Sequence, residues 1–304
     1  MSTAEVLIVP IEEIGEVDET DRPPPLSVRK VLHSDAVRRV VNKLERLPSA
    51  PRTYWALANT AARPESSLAD IARVVQSDPA MSAKVLQLVN SAYFGVAQRI
   101  SSIPHAVSYL GIALLKGLAL TTHVFATMEG KRIPGFSLEE FQAHSVATGQ
   151  LARRFLSDPK RAEEALTAAL VHDIGKVVMA LSVPAQFSAA ARKARASGIP
   201  AHKVEMEMIG ITHAEVGGYL LSAWGLPFTV VEAVAYHHDP SAVTEGPLDV
   251  LAAVHVAEAL LDASVETYGP PSRTPLDMKF LERSGFISEL PKWRAAARDF
   301  GHNV

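Results

Sequence analysis

The run Val171-His172-Asp173-Ile174-Gly175-Lys176 sets an imidazole and a carboxylate side by side within an otherwise apolar stretch. Packing alone would put neither group there, whereas both are ligands for a divalent ion. Four other segments supply His or carboxylate at positions that read as helical: His144, His213, the pair His237-His238, and Glu258. Two divalent ions bridged by a carboxylate polarise a phosphoryl oxygen and lower the pKa of bound water toward neutrality. Such a centre draws about five or six nitrogen and oxygen ligands from several rigid helices. In that arrangement Asp173 is the natural bridge, His172 and His144 complete one ion's shell, and His213, His237 and His238 offer three imidazoles to a second. Lys176, one turn beyond His172, would then face a substrate phosphate as a fixed positive charge.

Each of these residues also has a reading without chemistry. The flanks of Asp173 (Leu170, Val171, Ile174, Val177) are apolar, and a buried carboxylate without a partner costs several kcal/mol, so Asp173 must be paired, coordinated or protonated. An ion pair with Lys176 would satisfy it with no ion, and the two alternatives stand level. His237-His238 ends a helical pattern, where the dipole favours a charged imidazole as a cap. His213, in a first helical turn, could equally be exposed. His105, His123, His202 and His255 are expected to be hydrogen-bonded structural residues, and His33 and His302 solvent groups.

Composition sets the frame for these residues. The chain has 304 residues, 48% of them apolar, with 30 basic against 33 acidic side chains, as expected of a globular protein with a sizeable core. A net charge of -3 gives no electrostatic reason to expect nucleic acid. There is no Cys, so disulfides and thiolate sites are excluded and a transition metal must be held by imidazole and carboxylate, which suits Fe, Mn, Zn or Ni. No apolar run is read as reaching the roughly 18 residues of a membrane span, and no signal-peptide pattern opens the chain. The expected location is cytoplasmic, with no membrane partner.

The elements that must hold the ligands read as helices almost throughout, and the fold class is all-α. Residues 1–34 read as an arm or linker: Val6-Leu7-Ile8-Val9, then six acidic residues from Glu12 to Asp21, then Pro23-Pro24-Pro25. A basic helix is expected over Ser34 to Leu47. Ser67 with Asp70 makes a capping box, and Asp78-Pro79 is an N-cap followed by a first-turn proline. Ser102 with Pro104 opens a further helix, and Gly111 and Gly117 interrupt the apolar pattern that runs to Met128, allowing close packing. Asn90-Ser91 reads as a buried polar turn that organises this region. Gly130 to Pro134 divides a first lobe (35–132) from a second (133–304). Ser137 with Glu140 opens the helix that carries His144, one helix over Glu163 to Leu181 contains the His-Asp doublet, and Thr212 with Glu215 caps the helix of His213. A helix begun by Pro227 closes at His237-His238, and Leu248 to Leu261 carries His255 and Glu258.

With these residues assembled, the chain resembles the HD superfamily of metal-dependent phosphohydrolases, and residues 36 to 290 resemble an HDOD (HD-related output) domain. The resemblance is carried in order by Leu47-Pro48-Ser49-Ala50-Pro51, Ser77-Asp78-Pro79-Ala80-Met81, Leu88-Val89-Asn90-Ser91-Ala92-Tyr93-Phe94-Gly95, and Ile103 with Ala106, Leu110 and Gly111. It continues through His213-Ala214-Glu215-Val216-Gly217, Trp224-Gly225-Leu226-Pro227 and His237-His238. It implies a multi-helix fold of two helical lobes, the second like the HD phosphohydrolase core. It further implies a bacterial signal-transduction output or scaffold module that works through protein–protein contacts with other signalling proteins.

His144, His172, Asp173, His213, His237 and His238 fall where the related HD-GYP phosphodiesterases place metal ligands. The resemblance therefore also implies one or two divalent ions and an alternative activity: hydrolysis of a nucleotide or cyclic dinucleotide, with Asp173 and Lys176 as the catalytic pair. Two departures count against that alternative. Asp239-Pro240 follows the His pair where the enzymes continue to a Gly-Tyr-Pro signature, and Glu258 stands where Asp is expected. No helix-turn-helix or basic stripe supports DNA binding. Oligomeric state is not legible.

Overall fold

The structure is a computed structural model that describes residues 25–41, 51–91, 94, 96, 98–126, 134, 136–264 and 274–301. The helices in chain order are α1 (Leu26–Leu32), α2 (Asp35–Val41), α3 (Arg52–Ala61), α4 (Leu68–Gln76), α5 (Pro79–Val89), α6 (Ile103–Leu110) and α7 (Ile112–Ala126). There follow α8 (Leu138–Phe155), α9 (Pro159–Val171), α10 (Ile174–Ser182), α11 (Pro184–Ser197), α12 (Ala201–Ile209), α13 (His213–Ala223) and α14 (Phe228–Tyr236). The last are α15 (Asp249–Ser264), α16 (Met278–Arg283) and α17 (Leu290–Gly301). Among the described residues there is no strand, and the fold class is all-α.

The chain forms two compact units, 1–49 with 130–297 and 50–129 with 298–304. This grouping differs from the expected lobes at the N-terminal side: α2 belongs with the second half, and residues 26–32, read as part of an arm, form α1 of the same unit. The reason is apolar spacing. Val28, Val31, Val37, Val40 and Val41 are all buried, and α1 contacts α13 and α14 while α2 contacts α10 and α13. The Val6 to Val9 segment and the remainder of the Ser34–Leu47 helix lie outside the described residues.

In the smaller unit, local signals set the helix starts. Ser67 and Asp70 make the reciprocal capping box of α4, and the Asp78 carboxylate accepts from Met81 N at 3.0 Å at the start of α5 and from Thr53 Oγ1 at 2.6 Å. Ser102 makes no side-chain cap bond to α6. Asn90 is structural, as read: its Nδ2 donates to Leu86 O (2.7 Å) and Ile100 O (2.8 Å), and its Oδ1 accepts from Ile100 N (2.8 Å). Gly111 ends α6 at φ +77 and ψ 161, with open space where a Cβ would stand. Its role is backbone conformation, not the close packing expected of it.

The larger unit is built around α8, α9, α10, α13, α14 and α15, which contact one another in turn. Two close approaches depend on glycine. A Cβ on Gly149 of α8 would lie 2.9 Å from Leu166 Cδ1 of α9, and one on Gly218 of α13 would lie 2.7 Å from Ala235 Cβ of α14. Outside this core, α11 and α12 pack through Ala190, Ala194 and Val204, and Trp293 of α17 stacks on Phe155 with ring centroids 4.9 Å apart and donates Nε1–H to Phe155 O. The tip of α1 is fixed to α14: the Ser27 hydroxyl donates to Glu232, and Tyr236 OH donates to Ser27 O at 2.9 Å.

Two expectations for the central segment are corrected. The helix expected over 163–181 is broken at the doublet into α9 and α10. His172 is still helical (φ -54, ψ -36), but Asp173 at φ -96, ψ 6 leaves the helical region and starts the next helix. No uninterrupted apolar run of 18 residues was expected, yet within Pro159–Ser182 an 18-residue window reaches a mean hydropathy of 1.4, and 83% of that window is buried inside the protein.

Candidate metal centre

Asp173 occupies the N-cap of α10, where an aspartate ordinarily accepts from the first-turn amides, yet it makes no side-chain cap bond. Its carboxylate turns inward instead. Lys176 Nζ donates to Oδ2 at 2.6 Å, His172 Nε2 stands 3.4 Å from Oδ2, and His213 Nε2 and His237 Nε2 stand 3.0 Å and 3.9 Å from Oδ1. The break in the helix makes this possible: neighbours on a continuous helix point about 100° apart, whereas the corner lets His172 and Asp173 face one centre.

Three clusters of ligand atoms result, each within 4.8 Å: Asp173, His213, His237 and His238; His144, His172 and Asp173; and His172, His237 and Glu258. All seven ligand positions singled out from the sequence are thus brought together, and all lie in the larger unit. His172, Asp173, His213, His237 and Glu258 are buried, and His144, Lys176, His202 and His238 are partly buried, the His238 side chain being only 6% exposed. His255 is structural, as read: its Nδ1 meets His237 O at 2.7 Å and its Nε2 accepts from Asp277 N at 2.9 Å.

The outer nitrogens of the four inner imidazoles decide what the cluster suits. His172 Nδ1 lies 2.6 Å from Ala169 O and His237 Nδ1 lies 2.8 Å from Val234 O. Since a carbonyl only accepts, each Nδ1 carries the proton and each Nε2 is a bare lone pair. His213 Nδ1 lies 2.6 Å from Glu205 Oε2, a carboxylate. His238 Nδ1 lies 2.9 Å from Thr274 Oγ1, which itself donates to Glu258 Oε1 at 3.2 Å. The network therefore assigns four Nδ1–H tautomers and aims four Nε2 atoms inward. His172 Nε2, His237 Nε2 and Asp173 Oδ1 are buried and accept no hydrogen bond. His213 Nε2 and His238 Nε2 are 2.9 Å apart, a separation two lone pairs hold only with a proton or a cation between or beside them. The residues fit a divalent ion held by nitrogen and oxygen.

The electrostatics agree. Burial raises the Asp173 carboxyl, but the Lys176 ammonium, with His172 and His213, holds it well below the usual carboxylate range. Burial pushes His172, His237 and His238 below the ordinary imidazole value, His237 and His238 furthest because other imidazoles crowd them. His213 is the exception: burial is the largest single influence and lowers it, but the Glu205 and Asp173 carboxylates together raise it. Lys176 is desolvated yet raised by Asp173. The ion-pair and ligand readings of Asp173 are therefore not exclusive, since Lys176 takes one oxygen and leaves the other facing the imidazoles. Lys176 thereby meets a carboxylate while its side chain stays 21% exposed.

Three residues that line this centre were not singled out as part of it. Glu205 accepts both the ring N–H and the backbone N–H of His213, at 2.6 and 2.9 Å. Thr274 orients His238 and Glu258. His202 stacks on His238 with centroids 4.2 Å apart, and burial pushes its pKa down to about 4. No sequence signal separates Glu205 from Glu207 on the same helix.

The comparisons with known proteins agree with this architecture. Residues 47–240 match the HDOD domain model, and the chain belongs to that family, as the resemblance indicated. An uncharacterized protein of Treponema pallidum (strain Nichols) is 25% identical over 205 residues, which is 66% of this chain but only 39% of the relative's length. Among solved structures, an HDOD domain protein of unknown function from Geobacter sulfurreducens is 23% identical with a TM-score of 0.64, covering 87% of this chain and 97% of the other. A candidate signal transduction protein from Marinobacter aquaeolei VT8 is 23% identical with a TM-score of 0.68, over 91% and 64% of the two chains. A candidate phosphohydrolase from Shewanella amazonensis SB2B is 22% identical with a TM-score of 0.61, over 90% and 99%. At these identities the likeness is one of fold.

Proposed function

We propose that this chain is a signal-transduction module that acts through protein–protein interaction and whose HD pocket holds one or two divalent ions. The observation that carries the metal is the convergence of four Nε2 lone pairs on the Asp173 carboxylate, each fixed by a hydrogen bond on the far side of its ring. His213, His237, His238 and Asp173 would hold one ion, and His144, His172 and Asp173 a second. Burial of the central ligands favours an ion that organises the helices of the module over one freely open to substrate. The HDOD membership supports partners among signalling proteins and a cytoplasmic setting, with no nucleic acid or membrane involved.

A second reading, hydrolysis of a phosphate ester such as a nucleotide or cyclic dinucleotide, is favoured by one feature: the Lys176 side chain, held by Asp173, is 21% exposed at the edge of the cluster. A bound divalent ion supplies Lewis acidity and a nucleophile of lowered pKa. The chain's own contribution would be Lys176, a cation fixed by Asp173 at that edge, neutralising charge on a phosphate.

Elemental analysis of protein purified without chelators tests the first proposal. One or two equivalents of Fe, Mn, Zn or Ni are expected in the wild type and close to none in Asp173→Ala. A folded, metal-free wild type that takes up none on addition would overturn it. Release of product from a cyclic dinucleotide by loaded wild type, absent from Asp173→Ala, would move the assignment to the second reading.

A further inference from the structure

Glu205 and His202 lie three residues apart on α12, so they share one face of that helix. The face is turned onto two ligands of the same candidate ion: Glu205 onto His213 and His202 onto His238, the two rings whose Nε2 atoms are 2.9 Å apart. Glu205 is 3% exposed, and a single oxygen, Oε2, accepts both N–H groups of His213. On the same helix Glu207 points out, pairing with Lys193 at a side-chain exposure of 61%, so burial of Glu205 is not a property of the helix as a whole. A short link through Gly210, at φ +81, joins α12 directly to the Thr212 cap of α13.

We infer that α12 is the helix that tunes one of the two ion positions, with Glu205 as a positioning residue whose negative charge fixes the His213 tautomer and strengthens its Nε2 as a donor to the ion, while the His202 ring holds the plane of His238. A carboxylate behind a ligating imidazole raises its basicity and locks its orientation, and loss of such a partner costs about 10–100-fold in metal affinity. The contacts of α12 with His213 and His238 fall on ligands of a single ion position, so the effect is read on that ion. This inference rests on the reading that the pocket holds divalent ions.

The test measures Zn2+ affinity of the full-length chain by competition with a chromophoric chelator, for wild type, Glu205→Gln and Glu205→Ala, alongside the melting temperature of each metal-free protein. The Gln amide oxygen still accepts from both His213 N–H groups, so a purely structural acceptor predicts wild-type affinity for Glu205→Gln. The charge argument predicts weakening of one Zn2+ by about 10–100-fold with the second unchanged. Equal affinity in Glu205→Gln and wild type overturns the inference and leaves the metal reading intact. A wild type that binds no Zn2+ overturns the metal reading itself. Should the variants fail to fold, 15N-histidine spectra of Zn2+-loaded wild type replace them. Coordination of His213 through Nε2 with an exchange-protected Nδ1–H is expected, and coordination through Nδ1 would overturn the inference.

Discussion

Gly175 and His213 stand backbone against backbone: a Cβ added to Gly175 would lie 1.9 Å from the His213 carbonyl oxygen and 2.7 Å from Gly217 N. The glycine between Asp173 and Lys176 is therefore what lets α10 touch α13, and that contact brings Asp173 Oδ1 within 3.0 Å of His213 Nε2.

Gly175→Ala cannot be absorbed by a side-chain rotation, because the atoms met are backbone. It is expected to cost about 3 kcal/mol or more, the upper range of overpacking, and to lose metal together with stability. Gly111→Ala is the contrast, since it meets nothing within 4 Å and suffers only from its φ of +77, at a cost of about 1–3 kcal/mol. Denaturant melts of the two variants, read with metal content, check the pair. Metal retention by a folded Gly175→Ala would contradict this account of the contact.

Lys176→Met leaves the Asp173 carboxylate without its 2.6 Å partner. Breaking a fully buried pair costs about 3–5 kcal/mol, and with the Lys176 side chain 21% exposed about 2 kcal/mol is expected here after screening by solvent. The loss should appear in metal-free protein and shrink when Zn2+ or Mn2+ is present, since a cation then answers the same charge. Equal destabilisation with and without metal would mean that the ion does not meet Asp173.

Acid should destabilise the metal-free protein early. His172, His237 and His238 have folded pKa values below their ordinary 6.5, so the unfolded chain binds more protons below that pH and stability falls as pH drops through it. Asp173 and Glu205, also lowered, add to the loss below the ordinary carboxylate values. His213 is raised and acts oppositely, giving stability present below its ordinary pKa and lost as pH rises through the raised one, but it is one imidazole against five, since His202 and His255 are lowered too. Melting temperature followed from pH 8 to pH 5 should fall. A flat profile over that range would contradict the neutral tautomers assigned here.

Glu232 presents the reverse sign for a carboxylate. Burial raises its pKa, only partly offset by the Ser27 hydroxyl. The folded state then holds the proton more tightly than the unfolded one, and stability declines as pH rises above the ordinary carboxylate value. Glu232→Gln keeps an acceptor for Ser27 and removes the charge, so it should raise the melting temperature at pH 7 and flatten this part of the profile. A lower melting temperature would indicate that the charge is held by a partner other than Ser27.

The candidate ligands were legible because their types are costly in apolar surroundings: His172, Asp173 and the His237-His238 pair stand out against Val and Ala neighbours. The caps at Ser67, Asp78 and Thr212 were legible because they are local, each using atoms within three residues. The corner at Asp173 was not, because no proline marks it and the apolar pattern runs through the break. Neither was Glu205. Glu205 and Glu207 are the same residue type two positions apart on one helix, and only the approach of His213 from the next helix buries the first and leaves the second in solvent. Thr274 escapes for the same reason, since its partners His238 and Glu258 are 36 and 16 residues away.

The valine-lined packing of α1 and α2 bears on how short a working version of this protein can be. The span recognised as the family domain, 47–240, starts after both helices and stops before Glu258, Thr274 and Trp293. Cutting there would strip cover from α13 and α14, the helices that present His213 and lead into His237. It would also remove the Thr274 hydroxyl that fixes His238 and the indole that closes over Phe155. The shortest fragment able to fold around this pocket is thus longer at both ends than the stretch of sequence by which its kinship is recognised.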